Sequence, residues 1–320
     1  MAVPGNTVQT FSRNSIREDL ADIISNIAPT DTPFISNIGT ATATQRSHEW
    51  QTDDLAAPDG DNKHVEGDDT SADAANPTVR LTNYTQIFKK SVIVSGTARA
   101  VDNAGYADEL AYQVGKRAKE IKRDEETRMC GDYAAALGNS TTPSETAGAV
   151  AFLATNSNRG AGGADPTTSN GVVDAPSTQG SLRTFTEAQL KDVMQKAWTE
   201  GGSPRMVIMS GALKQTASTF EGIADLRKDV PNGAATIIGA ADVYVSDFGD
   251  LAFVPSRFTT GRDALVVDPD LWAVAQLRPY ELDELAKTGD SEKRQMLCEK
   301  TLECLNEKGN GVIADIEAAS

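Results

Sequence analysis

Apolar positions along the chain fall into blocks of different period, and the blocks predict its elements. Ile16, Leu20, Ile23, Ile24 and Ile27 recur at helical spacing, with Ser15 and Glu18 placed as a capping box and Pro29 as a stop. Thr-Pro-Phe-Ile-Ser, residues 32–36, reads as an extended segment pinned by Pro33. So short an element needs something else to pack on. Residues 46–90 are polar and rich in Asp, Gly and Ala, but their edges alternate as strands, at 47–51 and 78–95. Two strands around a long polar tip describe a protruding hairpin arm.

The strongest helical pattern runs from Tyr106 to about Ala136, with Asn103 as cap. Leu110, Val114, Ala118 and Ile121 form one narrow stripe, and Lys116–Glu120, Lys122–Glu126 and Asp124–Arg128 fall at i,i+4 spacing. A helix this long with so thin a stripe rests on a surface. Residues 138–182 are rich in Gly, Thr, Ser and Asn and read as a loop-rich insertion, with a short hairpin near 149–153. Thr186 and Gln189 then make a capping box and Phe185 with Leu190 a staple. Leu190, Val193, Met194, Ala197 and Trp198 form an apolar helical face ending at Gly201–Gly202. A buried strand at 205–210, a helix over 211–220 and several strands over 240–276 follow. The last stretch, 285–317, reads as a β-ribbon folded back at Lys308–Gly311.

Composition narrows the classes. Of 320 residues, 39% are hydrophobic and only 6% aromatic, so the core is lean in large rings. Forty-six acidic residues against thirty basic ones give −16. That charge opposes a sequence-specific DNA reader. No apolar run is long enough to span a membrane, and the first residues lack the pattern of a signal peptide. Cys130, Cys298 and Cys304, odd in number and without metal spacing, suggest reduced thiols made in a cytoplasm.

Candidate chemistry is sparse. His48 and His64 lie in or beside the polar arm, where no rigid scaffold for a nucleophile is evident, and read as surface or packing histidines. Cys298 and Cys304 stand roughly 20 Å apart along a strand, too far to share an ion. The Asp-rich stretches miss EF-hand spacing, and the glycines of 160–163 are not followed by the Lys-Ser/Thr of a phosphate loop. Adjacent pairs such as Asp53–Asp54 point to opposite sides of an extended chain. Trp198 and Trp272 read as core. Trp50, at the root of the arm, needs a partner from its own body or from a neighbouring chain. An extended arm, a polar hairpin and a long helix without a catalytic constellation favour a protein whose function is assembly.

Two long stretches carry a family resemblance: REDLADIISNIAPTDTPFISNIG with HEWQTDDL (17–39, 48–55) and LWAVAQLRPYELDELAKTGDSEKRQMLCEKTLECLNEKGNGVI (271–313). In them the chain resembles the major capsid proteins of tailed double-stranded DNA phages with the Hong Kong 97 capsid fold, of the kind typified by elongated-head podoviruses. The resemblance implies an α+β fold. Its parts would be an N-terminal arm (1–45), an extended loop lying over a neighbour (46–95), a peripheral domain with a spine helix and β-ribbon (96–137 and 263–320), the insertion (138–183) and an axial domain (184–262). It implies no cofactor and no metal. The implied partners are the chain itself in hexamers, pentamers and a full shell, then portal, scaffolding or decoration proteins, with double-stranded DNA as non-specific cargo. Assembly-interface candidates are Phe34 in the arm and Trp50, Asp53, Lys63, Lys89 and Lys90 in the loop. The expected location is the virion, after synthesis in the host bacterial cytoplasm. In a container the −16 charge takes a second meaning, an acidic wall along which DNA slides. The competing class is a two-domain α/β enzyme with an unrecognised active site. A fibrous tail or adhesion protein would need repeats that the chain lacks.

Overall fold

The longest alternating runs pair with each other. Trp272–Leu285 and Ser291–Cys304 form an antiparallel hairpin, with Trp272 opposite Cys304 and Leu285 opposite Lys293. Each strand is 14 residues, roughly 45 Å when extended. Gln86–Ser95 joins Ser291–Cys304 antiparallel, and Gly39–Thr42 joins Trp272–Leu285 parallel, completing a four-stranded sheet. The structure, a computed structural model, describes residues 31–67, 69, 77–101, 108–220 and 243–318. The expected helix over 16–27, its Ser15–Glu18 box, and the placements of Asn103 and Tyr106 lie outside these residues.

The long helix spans Glu109–Cys130 and lies across this sheet. Asp108 caps it by accepting from the Leu110 N–H at 3.0 Å, and Gly131 ends it in extended backbone, earlier than the expected Ala136. Ile121, 1% exposed, packs with Phe88 and Cys298, and Leu110 packs with Val92 and Val94. The stripe thus meets the sheet as expected. The i,i+4 pairs do not form. Arg117 meets Glu120, Asp124 meets Lys90 at 2.6 Å, and Arg128 meets Glu145 at 3.0 Å. Glu126 is buried, so it cannot serve a surface pair.

A six-stranded mixed sheet forms the second body, in the order Val243–Ser246, Gly249–Pro255, Met206–Met209, Ala264–Val267, Gly311–Ile313, Ser157–Asn158. Helix Glu187–Thr199 belongs to it. The expected capping box forms, Gln189 accepting from the Thr186 N–H at 3.1 Å. Leu190, Val193, Met194 and Ala197 are buried as expected, but Trp198 is 58% exposed and leans on Phe248, 5.4 Å between ring centres. Trp198 stands one position past the buried face at the helix's last turn, where the sheet no longer covers it.

Two further expectations change. Gly311–Ile313 does not fold back on Ser291–Cys304. A short 3-10 turn at Glu307–Gly309 carries the chain from the first sheet into the second, where Gly311–Ile313 pairs with Ala264–Val267 and Ser157–Asn158. The segment after Gly131 is loop-rich as expected, but its short elements differ from the expected ones. Ala149–Phe152 is a buried helical turn instead of a hairpin, and Val172–Ala175 and Thr167–Ser169 complete a third sheet with Ser47–Thr52 and Val79–Tyr84. Asp315, in the left-handed region at φ 58°, fastens this segment to the C-terminal strand. Its carboxylate accepts from the N–H of Gly160 at 3.1 Å, the N–H of Gly180 at 2.8 Å and the Arg262 guanidinium at 3.0 Å. A Cβ at Gly180 would sit 2.6 Å from the Gly160 carbonyl oxygen, so only glycine allows the approach.

These three sheets, beside a two-stranded pairing of Ile316–Glu317 with Arg183–Thr184, meet at an aromatic core. Trp272 contacts Phe34 edge-on at 5.7 Å and Phe152 at 6.1 Å, and Phe152 contacts Trp50 at 6.1 Å. Both indoles are satisfied, Trp272 Nε1 donating to Asn310 Oδ1 at 2.9 Å and Trp50 Nε1 to the Cys304 carbonyl at 2.6 Å.

Candidate assembly surfaces

The hairpin arm stands on a rigid root. Asn83, fully buried, donates through Nδ2 to the Leu302 carbonyl at 2.7 Å and to Thr146 Oγ1 at 3.0 Å, while its Oδ1 accepts from the Ala147 N–H at 2.9 Å. A buried amide so fully used fixes the strand that carries it. His48 Nε2 lies 3.2 Å from the Glu303 carboxylate, with its ring 5.8 Å from Trp50. It is a packing histidine, and His64 sits exposed beside Asn62.

Beyond the root, residues 53–67 are exposed throughout. They carry Asp53, Asp54, Asp59, Asp61 and Glu66 together with two large apolar side chains, Leu55 at 99% exposure and Val65 at 76%. Lys308 holds Asp54 at 2.7 Å, near where the loop leaves the body. The Lys63–Asp61 pair, 3.0 Å apart with both side chains in solvent, stabilises nothing appreciable.

The predicted interface residues therefore separate. Asp53 and Lys63 are on the exposed loop. Phe34 is 0% exposed and Trp50 8%, so neither is offered to a neighbour; their rings are spent in the chain's own core. Lys89 and Lys90 are not in the arm. They belong to strand Gln86–Ser95, where alternation turns Lys90 toward Asp124 of the long helix and leaves Lys89 on the opposite, exposed face. The strand expected over 78–95 is two strands in two sheets, broken at Thr85, whose hydroxyl donates to Glu299 at 2.7 Å.

The N-terminal approach is anchored differently from the expected extended segment. Pro33–Asn37 is a short helix with proline at its start, and its first N–H groups are met by a buried carboxylate. Glu126 accepts from the Phe34 N–H at 2.7 Å and the Ile35 N–H at 3.0 Å. Burial is the strongest influence on Glu126 and holds its carboxyl above the ordinary 4.5, against the lowering by those two donors. A carboxyl raised in the native state binds its proton more tightly folded than unfolded. Its contribution to stability is full below pH 4.5 and is lost as pH climbs through the raised native value. Glu126→Gln removes that titration. Its cost in urea unfolding is expected to be largest near pH 4 and to shrink toward pH 7; a cost that grows with pH would contradict the assignment.

The neighbouring Glu125 forms a second buried centre, joining helix to ribbon. It accepts from Lys300 Nζ at 2.9 Å, from the Tyr280 hydroxyl at 2.7 Å and from Cys298 Sγ at 3.0 Å, and the Lys300 ammonium lies 3.8 Å from the Tyr280 ring centre. Burial, then the adjacent carboxylate, pushes the Tyr280 hydroxyl and the Cys298 thiol up. Burial likewise pushes Cys130 and Cys304 up, so all three free thiols are held in the unreactive form. Helical spacing could have found this centre, because Glu125 and Met129 continue the stripe of Leu110, Val114, Ala118 and Ile121.

The clefts offer little for chemistry. The cleft of about 540 Å3 bounded by Arg46, Thr85, Arg128, Glu145 and Glu299 has its carboxylates engaged, Glu145 by Arg128 and Glu299 by Arg278 at 2.9 Å. Among the described residues no group of three His, Cys, Asp or Glu is placed to hold a metal, and no helix is long and apolar enough to cross a membrane.

Comparison with known proteins covers nearly the whole chain. Residues 3–317 match the family described as SU10 major capsid protein. The major capsid protein of Escherichia phage Phieco32 is 29% identical over 336 residues, covering 95% of each chain. In structure, the capsid asymmetric unit of cyanophage A-1(L) superposes with a TM-score of 0.68 at 11% identity, covering 97% of this chain and 99% of the other. The capsid of cyanophage P-SCSP1u gives 0.63 at 9% identity, covering 99% and 97%. The phage G major capsid proteins give 0.56 at 12%, covering 98% and 99%.

Proposed function

The chain belongs to the SU10 major capsid protein family and has the Hong Kong 97 capsid fold; from that premise we propose that its copies clasp one another into the hexamers and pentamers of an icosahedral or prolate phage head. The head encloses double-stranded DNA, joins a portal, and takes scaffolding or decoration proteins. The subunit is made in the host bacterial cytoplasm, resides in the virion and performs no chemical step.

One observation carries the clasp: a loop on a rigid root presents Leu55 and Val65 to solvent, 99% and 76% exposed among the described residues. Burying each against a neighbour is worth about 1.5–3 kcal/mol. That is too little for a stable pair alone and ample when each subunit gives and receives it around a closed ring. The loop carboxylates set register and choice of partner more than affinity. The clasp is noncovalent: Lys90 is held by Asp124, and Lys63 stands in solvent paired with Asp61 among the described residues.

Light scattering of the purified chain tests the reading. Capsomers or shells many times heavier than 33.9 kDa are expected. A chain that stayed monomeric at high concentration, with or without a scaffolding partner, would contradict it and reopen the enzyme alternative.

A further inference from the structure

Charge is segregated on this molecule in a way its net value hides. The exposed loop at 53–67 carries five acids against one lysine, and most cations of the described residues are spent on carboxylates. The long helix is different. Arg117 is taken by Glu120 and Arg128 by Glu145, and Asp124 is taken by Lys90 from the sheet. Glu125 and Glu126 are turned inward. That leaves Lys116, Lys119 and Lys122, all exposed, with no carboxylate partner among the described residues. They follow at intervals of three, about 4.5 Å of rise each, on the side away from the sheet. Arg123, also without a carboxylate, lies between them and Phe258, its guanidinium 5.7 Å from that ring. The residue before that phenylalanine, Arg257, is exposed and likewise without an ion pair among the described residues.

We propose that this row, Lys116, Lys119 and Lys122 flanked by Arg123 and Arg257, is a contact surface for the phosphate backbone of double-stranded DNA. The proposal rests on the capsid reading and gives the subunit an orientation within it: this face of the helix looks inward. The opposite face is locked to the sheet by Ile121 and Glu125, so the lysines are held in line by a rigid element. The helix face is convex, and the row consists of mobile ammonium groups, which suit phosphates and do not read bases. An acidic chain with one basic face holds its cargo loosely at that face and repels it elsewhere.

The test uses the full chain as soluble subunits and a fluorescent 20-base-pair duplex, titrated at several salt concentrations. Wild type is expected to bind at low salt. The variant Lys116→Gln/Lys119→Gln/Lys122→Gln should bind more weakly and lose roughly 2.7 from the slope of log K against log salt, about 0.9 per phosphate contact. An unchanged slope, or no binding by wild type at low salt, overturns the proposal. A peptide of residues 53–69 that binds the row where the duplex does not would assign it to a neighbour's loop and also overturn it. The same variant should still form particles; their loss would place the row between copies. Failure of the wild type to form particles counts against the capsid reading alone, and the duplex titration still judges the helix face.

Discussion

Lys300→Ala is expected to destabilise the subunit by about 3–5 kcal/mol, the cost of leaving a buried carboxylate without its cation. Glu125 is 1% exposed and Lys300 8%, so water cannot replace the lost ammonium. The hydroxyl of Tyr280 and the thiol of Cys298 still donate, but neither carries charge. The pair also joins the C-terminal part of the long helix to the buried half of Ser291–Cys304, so its loss is felt in both elements. Removing both charges at once is different. Glu125→Leu/Lys300→Met keeps the volume and abolishes the desolvation cost, and it is expected to be near neutral or stabilising. Tyr280, 40% exposed, can then turn its hydroxyl to solvent. Urea unfolding of soluble subunits measures both. A single variant costing under about 1 kcal/mol would show that the pair is no more than a surface contact.

What the sequence disclosed was local. The strand of 205–210, the box at Thr186 and Gln189, and the seating of Leu110 and Ile121 each depend on residues within a turn or two. What it concealed depends on distant partners. Pro33–Asn37 reads as extended because its cap, Glu126, lies more than ninety positions away. The segment after Gly131 is loop-rich, but its packing is hidden because small residues are used for close approach, as at Gly160 and Gly180 against Asp315, and composition cannot distinguish that from looseness. Trp198 sits at the angular edge of an apolar stripe, where the pattern alone cannot say how far the covering sheet extends. Of the interface candidates, Phe34 and Trp50 are large rings, and large rings are what a core lean in aromatics consumes first. Leu55 and Val65 are not legible in the sequence because a single apolar residue in a polar loop carries no period. The family was legible throughout, because it rests on long stretches of matching residues.

Deleting residues 56–76 is expected to abolish assembly while leaving the subunit folded. The deletion removes Leu55's companion Val65 and most of the loop carboxylates. It spares Ser47–Thr52, Val79–Tyr84 and the Asn83 bonds that tie the root to Thr146 and Leu302. No buried residue of the described segment is lost, so stability should change by less than about 0.5 kcal/mol. A shorter connection between paired strands slightly lowers the closure entropy, which favours folding. Assembly has no such reserve, because every ring contact in a capsomer repeats the same defect. The decisive measurement is electron microscopy of the deletion variant beside the wild type, both first shown folded by cooperative urea unfolding. The account predicts closed particles from the wild type and none from the variant. Particles of normal size from the variant would contradict it.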